Sequence, residues 1–287
     1  MSAGRRVGIT GASGFVGSQL ASRFEKEGWS VIRFSRGGRE AVQFQLGDEV
    51  SPEVFRSREI GALVHCAYDF RPVRWADIDR TNVEGSRQLI DAANAGGVER
   101  IVVISTISAF AGCRSLYGRA KLAIEADAAR SGGAVVRSGL VYGDDSGPSS
   151  GGMIGSLSRS ARGRFVPLLD GGGQLQYLVH IDDLFQLVCR LCTGDLGRPA
   201  RPVVAASARA WTVRELVREL AGRQGSEPRF VSVPWQVAWL GLKAAELAGL
   251  RPAYRSDSVI SLVHQDPHPD FASLTELGMS VRDFGAR

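Results

Sequence analysis

The sequence predicts an α/β fold with a doubly wound parallel sheet, and three observations support this. Short apolar runs alternate with helical patterns along the first half of the chain. A glycine-rich run separates the first predicted strand from the first predicted helix. With 287 residues, of which 44% are hydrophobic and 23% charged, the chain can form one large domain and a smaller C-terminal lobe. Such alternation is typical of a parallel sheet covered by helices on both faces.

The individual elements follow from the apolar pattern. Apolar runs predict strands over residues 5–10, 31–34, 42–46, 62–66, 101–105 and 134–136. Helical spacing predicts helices over residues 15–26, 75–95, 117–129, 180–193 and 212–222. Residues 233–250 predict another apolar helix, in which the charges of Lys243 and Glu246 favour a packed lid or interface helix over a membrane anchor.

The glycine-rich run is the strongest indication of a binding site. Gly11 allows a tight turn, Gly14 lets the backbone approach a phosphate, and Gly17 lets the helix lie close to the strand. The helix N-terminus offers free N–H groups to an anion. We therefore expect a Rossmann-type site for a dinucleotide, in which the contacts come from Gly11, Ser13, Gly14, Phe15, Val16 and Gly17.

The chain divides where its composition changes. It becomes rich in Gly and Ser after residue 143, and residues 147–152 are the expected hinge. We expect a dinucleotide-binding Rossmann domain over residues 1–145, to which the segment around residues 175–205 returns. Residues 146–287 should form mainly a substrate-binding lobe.

Charge and cysteine usage exclude several other classes. The net charge of +5 is spread along the chain without a lysine-rich run, so no nucleic-acid partner is expected. The first strand begins close to Met1 and the chain has four cysteines, which predicts a cytoplasmic protein without a signal peptide. Cys189 and Cys192 follow a helical apolar pattern and His264 lies in a proline-containing loop, so no metal site is expected. His65 and His180 are expected to form structural hydrogen bonds.

Tyr117 and Lys121 are the expected proton-transfer pair. They lie four residues apart on a predicted helix and therefore share a face. A nearby ammonium group and an oxidised nicotinamide favour the phenolate, so we expect the pKa of Tyr117 to lie below its usual value. Tyr117 could then accept or donate a proton during hydride transfer.

The end of the second strand indicates the cofactor. Enzymes that use NAD place an acidic side chain there to bind the ribose hydroxyls. This chain has Ser35 and Arg36, and a guanidinium can bind a 2′-phosphate that a carboxylate would repel. NADP(H) is therefore expected in preference to NAD(H), with Arg33 and Arg39 as candidate helpers.

The order of several motifs resembles the extended short-chain dehydrogenases/reductases of epimerase/dehydratase type. These motifs are the glycine run, Val64-His65-Cys66-Ala67, Asn82-Val83-Glu84-Gly85-Ser86, Ile104-Ser105-Thr106, Tyr117-x-x-x-Lys121, the segment from Arg137 to Gly143, and Val179-His180-Ile181-Asp182-Asp183-Leu184. The resemblance extends from the first strand to about Leu184.

The resemblance implies further site residues. Thr106, four residues before an aromatic residue, would bind the substrate oxygen together with Tyr117; Ser105 is the fallback and Ser108 is disfavoured. Gln45 and Leu46 stand where members of the family contact the adenine ring. The remaining cofactor contacts would come from Cys66, Ala67, Asn82, Ser105, Tyr117, Lys121 and Leu140.

Two departures from the resemblance concern the substrate. Leu140 stands where members that bind UDP-sugars have Asn, and Gln176 stands where an Arg often holds a phosphate. A smaller or less anionic ketone or alcohol is therefore favoured over a diphosphate-linked sugar.

These observations predict NADP(H)-dependent hydride transfer at a carbinol or carbonyl carbon. Ketone reduction and epimerisation would use the same residues, so the sequence does not separate them. The alternative is a non-catalytic protein that binds the dinucleotide for structure or redox sensing, against which the Tyr117–Lys121 pair argues. The expected partners are a small-molecule substrate and, at most, a second copy in a homodimer, but neither nucleic acid nor a membrane.

Overall fold

The computed structural model describes residues 5–38, 41–144, 147, 151–250, 252 and 254–285. Its strands are β1 (Arg6–Thr10), β2 (Ser30–Ser35), β3 (Val42–Gln43), β4 (Ala62–His65), β5 (Arg100–Thr106), β6 (Ala134–Ser138), β7 (Leu140–Tyr142), β8 (Phe165–Leu169), β9 (Leu175–His180), β10 (Val203–Ala205), β11 (Ala210–Thr212) and β12 (Arg229–Val233). Its helices are α1 (Phe15–Lys26), α2 (Glu53–Arg56), α3 (Trp75–Ile78), α4 (Gly85–Ala95), α5 (Leu116–Arg130), α6 (Gly152–Ser160), α7 (Ile181–Thr193), α8 (Val213–Gly222), α9 (Trp235–Leu247), α10 (Ser256–Val263) and α11 (Ala272–Thr275). A π-helical segment, Asp79–Glu84, joins α3 to α4.

The main sheet has seven strands in the order β10-β6-β5-β4-β1-β2-β3. Every neighbouring pair in it is parallel. The strand order reverses between β1 and β4, and ligands of open α/β sheets bind beyond the strand ends at such a point. The predicted α/β fold with a parallel Rossmann-like sheet is confirmed.

Helices cover both faces of this sheet. On one face α1 and α7 contribute buried apolar residues such as Leu20, Phe24 and Leu184. On the other face α4 and α5 contribute Leu89 and Ile124. The sheet is thus buried on both sides, which explains why its strands are short, continuous apolar runs rather than alternating ones.

The remaining residues build a smaller lobe with a core of its own. β7, β9 and β11 form one sheet, and β8 pairs with β12 in another. The lobe core includes residues of α8, such as Leu216, and Phe284 near the C-terminal end of the described chain, which is 1% exposed. Between the lobe's strands the chain returns to the main sheet, because α7 packs there and β10 joins its edge.

Several elements differ from the sequence prediction. β3 is a two-residue strand, whereas a strand was expected over residues 42–46. The helix expected over residues 233–250 is α9, which packs against α10 and has no fully buried residue. Part of the expected hinge lies outside the described residues. No helix among the described residues is long and apolar enough to span a bilayer.

Candidate active site

The glycine turn joins β1 to α1 beside the end of β4. Gly11 has φ +65°, and a Cβ on it would lie 2.9 Å from the backbone of Ala67. A Cβ on Gly17 would lie 2.3 Å from the Gly11 carbonyl oxygen. The first turn of α1 has neither an acidic residue nor a side-chain cap. Its N–H groups are therefore available to an anion such as a pyrophosphate.

A cleft of about 1070 Å³ lies over this turn. It brings together nearly all the residues expected to contact the cofactor. They are Gly11, Ser13, Gly14, Phe15, Val16, Gly17, Ser35, Arg36, Gln45, Leu46, Cys66, Ala67, Ser105, Tyr117, Lys121 and Leu140, and Thr106 also lines the cleft. The cleft joins the switch point of the sheet to α5, so these residues fit a dinucleotide.

Asn82 does not line this cleft, and the Ser105 hydroxyl is engaged by another side chain. Asn82 is fully buried in the π-helical segment, where its Oδ1 accepts a hydrogen bond from the Asp69 N–H at 2.7 Å and its Nδ2 donates to the Asp69 carbonyl at 3.0 Å. These two hydrogen bonds therefore hold the loop that follows β4. The Ser105 hydroxyl donates to buried Glu125 at 2.5 Å, so it is not free to serve as the fallback for Thr106.

Thr106, Tyr117 and Lys121 meet where β5 ends beside α5. Thr106 and Tyr117 both line the cleft, and the Thr106 side chain lowers the pKa of the Tyr117 phenol. Lys121 Nζ donates to the Ile104 carbonyl at 2.9 Å, and Lys121 is 3% exposed. This hydrogen bond fixes the ammonium group at the end of β5, one helical turn from Tyr117.

Burial has the largest effect on the pKa values of Tyr117 and Lys121. It raises the pKa of Tyr117 to about 12, against the lowering effect of the Thr106 hydrogen bond. The lowered pKa expected from the sequence depends on the positive charge of a bound oxidised nicotinamide, and it stays a prediction. Burial also lowers the pKa of Lys121 to about 8, although the charges of Cys66 and Glu125 raise it. Both groups are thus held toward their neutral forms.

Two aromatic residues that the sequence reasoning missed enclose Tyr117. The rings of Tyr68 and Phe70 lie 4.9 and 5.6 Å from the Tyr117 ring, centroid to centroid. Lys121 Nζ lies 5.3 Å from the Tyr68 ring centroid. Their position directly after β4, at the carboxyl edge of the sheet, is the signal that could have identified them.

The lobe contacts α5, the helix of Tyr117 and Lys121, through a further residue that the sequence did not indicate. Asp257 on α10 accepts hydrogen bonds from the backbone N–H groups of Leu116 and Tyr117, at 2.7 and 2.9 Å. Nearby, Arg255 donates to Glu246 at 3.0 Å and to the Pro72 carbonyl at 3.1 Å. The contacts of Asp257 join residues 140 and 141 positions apart, and the contact between Arg255 and Pro72 joins residues 183 positions apart, so no local sequence pattern predicts them.

A second cleft, of about 460 Å³, opens in front of Thr106 and Tyr117. Leu140 and Gln176 line it, and so do the apolar side chains of Phe70, Val73, Ile107, Met153, Tyr177, Trp239, Ile260 and Leu262. The cationic residues in its lining are Lys243 and Arg255, and Arg255 is ion-paired with Glu246. The described residues of this lining therefore provide few cationic groups that could bind a diphosphate.

The end of β2 carries a neutral and a cationic side chain. The Ser35 hydroxyl donates to the Gly37 carbonyl at 2.6 Å. Arg36 is exposed and forms no hydrogen bond with the part of the chain that the structure describes. Arg33 is ion-paired with Glu25 at 2.5 Å, so its expected role as a helper is not supported, and Arg39 lies outside the described residues.

A third arginine lies at the same end of the cleft. Arg71 pairs with Asp69 at 2.7 Å and donates to Gln45 at 3.5 Å. Partial burial raises the pKa of Asp69, but hydrogen bonds to Arg71 and the charges of Arg71 and Arg36 lower it further, so the net shift is downward. The Asp69 carboxylate is thus charged and is paired with a neighbouring arginine.

The two motif histidines serve the fold. His65 forms hydrogen bonds with Thr10 at 2.7 Å and Ser86 at 2.9 Å. His180 caps α7 by accepting from the Asp182 N–H at 3.2 Å, and its other ring nitrogen lies 3.2 Å from Asp144. Asp182 is in turn paired with Arg23 at 2.6 Å. The side chains of Asp144, His180 and Asp182 therefore form a hydrogen-bonded cluster at the start of α7.

Comparison with known proteins identifies the family. The model of the NAD-dependent epimerase/dehydratase family matches residues 7–205. The chain belongs to this family. The expected resemblance to extended short-chain dehydrogenases/reductases is thereby confirmed, as is the expected class of oxidoreductase or epimerase, which contradicts the non-catalytic alternative.

Similar proteins in this family include reductases. A ceramide reductase of Caulobacter vibrioides is 28% identical over 243 residues, which cover 79% of this chain and 73% of that protein. A dTDP-4-dehydro-6-deoxy-D-allose reductase of Streptomyces bikiniensis is 25% identical over 237 residues, covering 66% and 73%. The structure of MoeE5 in complex with UDP-glucose and NAD has a TM-score of 0.67 at 22% identity, covering 90% of this chain and 96% of that one.

The geometry can support the chemistry of an NAD-dependent epimerase/dehydratase. When bound, the nicotinamide cofactor of this family exchanges a hydride with a carbinol or carbonyl carbon. The Tyr117 hydroxyl and the Thr106 hydroxyl lie together at the boundary of the two clefts, where one substrate oxygen could bind both. Such an oxygen would receive its proton from a phenol that burial keeps protonated.

Proposed function

We propose that this enzyme is an NADP(H)-preferring reductase of an uncharged, largely apolar carbonyl compound. In this reaction Tyr117 donates a proton to the carbonyl oxygen and Thr106 holds that oxygen by a hydrogen bond. Lys121, anchored to Ile104, supplies the positive charge that stabilises the phenolate left on Tyr117. Its low pKa also lets it pass a proton on at neutral pH.

The apolar lining of the smaller cleft carries this proposal. A phosphate group in that cleft would need cations, yet Leu140 and Gln176 occupy the two positions where nucleotide-sugar enzymes of the family bind their ligand. Burial of a hydrocarbon chain against Val73, Ile107 and Leu262 would instead contribute about 0.8 kcal/mol per CH₂ group. The similarity to a ceramide reductase, whose name indicates a lipid substrate, also supports an apolar substrate.

A chain-length series tests the substrate class. Oxidation of NADPH should be followed with methyl ketones of increasing length, and kcat/KM should rise about threefold to fourfold for each added CH₂ group until the cleft is filled. A UDP-4-keto sugar should be a poor substrate. If it exceeded every ketone of the series, the apolar assignment would be wrong.

Two substitutions test the catalytic roles. Tyr117→Phe removes the proton donor and Lys121→Ala removes the cation, and each should lower kcat by about 10²-fold to 10⁴-fold while the protein stays folded. Tyr142→Phe is the matched control, because Tyr142 is buried in the lobe core beside Phe284. Near-normal turnover in both folded variants would remove these roles.

The cofactor preference depends on Arg36 and Ser35. A charge-assisted pair between Arg36 and the 2′-phosphate is worth about 1.5–3 kcal/mol, which corresponds to roughly tenfold to a hundredfold tighter binding of NADPH than of NADH. Titration of both cofactors should show this preference reduced in Arg36→Ala and reversed in Ser35→Asp. Arg33→Ala is the control, because Arg33 is engaged by Glu25. Equal affinities in the unmodified protein would contradict the proposal.

We also propose the domain roles and the location expected above. Residues 1–145 with the segment around 175–205 would bind the cofactor, and most of residues 146–287 would bind the substrate. All four cysteines are free, which supports a cytoplasmic location. A homodimer is compatible with these roles, and size-exclusion chromatography with light scattering tests it.

A further inference from the structure

α9 has an apolar face that points away from the protein. Its exposed positions include Val237, Leu240, Ala244 and Leu247, which follow one another at helical spacing. Val237, Leu240 and Leu247 are 62%, 63% and 76% exposed. We call these four residues the α9 stripe. It has no charged member, although it faces solvent.

The charged residues of the same helix point inward. Lys243 lines the smaller cleft, and Glu246 accepts hydrogen bonds from the Ser256 side chain at 2.7 Å and from Arg255 at 3.0 Å. A surface helix of a water-exposed protein normally has the opposite orientation. The α9 stripe therefore indicates that this face meets an apolar medium rather than water.

The apolar surface continues to the mouth of both clefts. After α9, Leu250 is 64% exposed and Tyr254 45% exposed, and both line the larger cleft. Phe70 and Met153, which are 58% and 47% exposed, line both clefts. The α9 stripe and these rim residues thus surround the route by which a substrate reaches Tyr117.

We propose that the α9 stripe and its rim dock on the surface of a lipid bilayer. A helix of this kind lies in the membrane interface with its apolar side chains among the acyl chains, without spanning the bilayer. The smaller cleft would then open toward lipid. This inference rests on the orientation of α9 and stands whether or not the proposed reaction is correct.

Charge and the position of the clefts favour a bilayer over a second copy of the chain. Arg255 is paired with Glu246, which leaves Lys243 and Arg251 as the basic excess of residues 235–255, and the whole chain carries +5, which suits anionic headgroups. A second copy on this face would also cover the mouth of the clefts.

Vesicle binding tests this surface. The purified protein should sediment with vesicles of phosphatidylcholine and phosphatidylglycerol, and more weakly with vesicles of phosphatidylcholine alone. In the double variant Leu240→Ser and Leu247→Ser, the partition coefficient should fall at least tenfold. Neither leucine lines a cleft, so reduction of a water-soluble ketone without vesicles should be unchanged.

Two controls separate the outcomes. Phe165→Ser removes a side chain of similar exposure, 56%, from β8, and should leave vesicle binding unchanged. Tyr117→Phe should also bind vesicles normally. Vesicle binding can therefore be tested independently of the proposed reaction. The proposal is overturned if the unmodified protein does not bind vesicles. It is equally overturned if the leucine variants bind as well as the unmodified protein, or if they abolish a dimer of the free protein instead.

Discussion

At the switch point, the buried side chains of Thr10 and His65 form a hydrogen bond in which His65 is neutral. The Thr10 hydroxyl accepts hydrogen bonds from the N–H groups of Cys66 and Ala67, both at 3.2 Å, so its own proton is directed at His65. Burial, with a smaller effect of the Lys121 charge, lowers the pKa of His65 to about 3. His65 is therefore neutral in the folded protein, and it joins β1 and β4 beneath the cofactor cleft.

This neutral histidine predicts a loss of stability in acid. The unfolded chain binds a proton at His65 near pH 6.5 and the folded chain only near pH 3, so the unfolding free energy falls as the pH drops between these values. The loss should be about 1.4 kcal/mol per pH unit, or about 2 kcal/mol at pH 5. Urea unfolding at pH 7, 6 and 5 measures it.

A histidine variant isolates this contribution. His65→Gln should be less stable at pH 7 but should show a flatter dependence on pH. His268→Gln, at an exposed loop residue, should retain the slope of the unmodified protein. If His65→Gln retained the full slope, the acid sensitivity would have another origin.

Helix α5, which carries Tyr117 and Lys121, is held at two points by residues of other elements. Asp257 accepts from its first N–H groups, and Glu125 forms an ion pair with Arg137 of β6 at 2.7 Å. A carboxylate at a helix N-terminus is favoured both by its hydrogen bonds and by the helix dipole. Because Asp257 belongs to the lobe, a movement of the lobe would also move the start of α5 and thus Tyr117.

Loss of this carboxylate should weaken catalysis more than cofactor binding. Asp257→Asn keeps the shape but removes the charge, and hydrogen bonds to a charged group are worth about 1.5–3 kcal/mol. We expect kcat to fall roughly tenfold, while the KM for NADPH changes less than twofold. Asp77→Asn, on α3, is the control, because Asp77 pairs only with exposed Arg80 among the described residues. A rise in the NADPH KM with constant kcat would contradict a role in positioning Tyr117.

At the scale of the whole molecule, the main sheet and the smaller lobe meet at the candidate active site. The main sheet supplies the glycine turn and the Thr106, Tyr117 and Lys121 group, while the lobe supplies much of the smaller cleft through α9 and α10. Open α/β sheets bind ligands in this crevice, and the parts that cover it commonly move on binding. The lobe should therefore respond to substrate and the glycine turn to cofactor.

Hydrogen exchange can separate these two responses. NADPH should protect the N–H groups of residues 11–17 at the start of α1. A long-chain ketone added with NADPH should further protect α6 and α10, whose residues line the smaller cleft. Protection by the ketone confined to residues before Gly143 would exclude the lobe from substrate binding.

The sequence alone predicted the parallel sheet and most of the residues that line the candidate site. Glycines with special backbone demands, short apolar runs and a Tyr–Lys pair at helical spacing are local signals, because each follows from the conformation of a few consecutive residues. Only the tertiary structure decided how Asn82, Ser105 and Arg33 are used, since their hydrogen-bond partners Asp69, Glu125 and Glu25 lie 8 to 20 residues away. The same holds for Asp257, 140 residues from Tyr117, and for the outward apolar face of α9. Long-range pairing and burial depend on which surfaces meet, and a linear pattern does not record that.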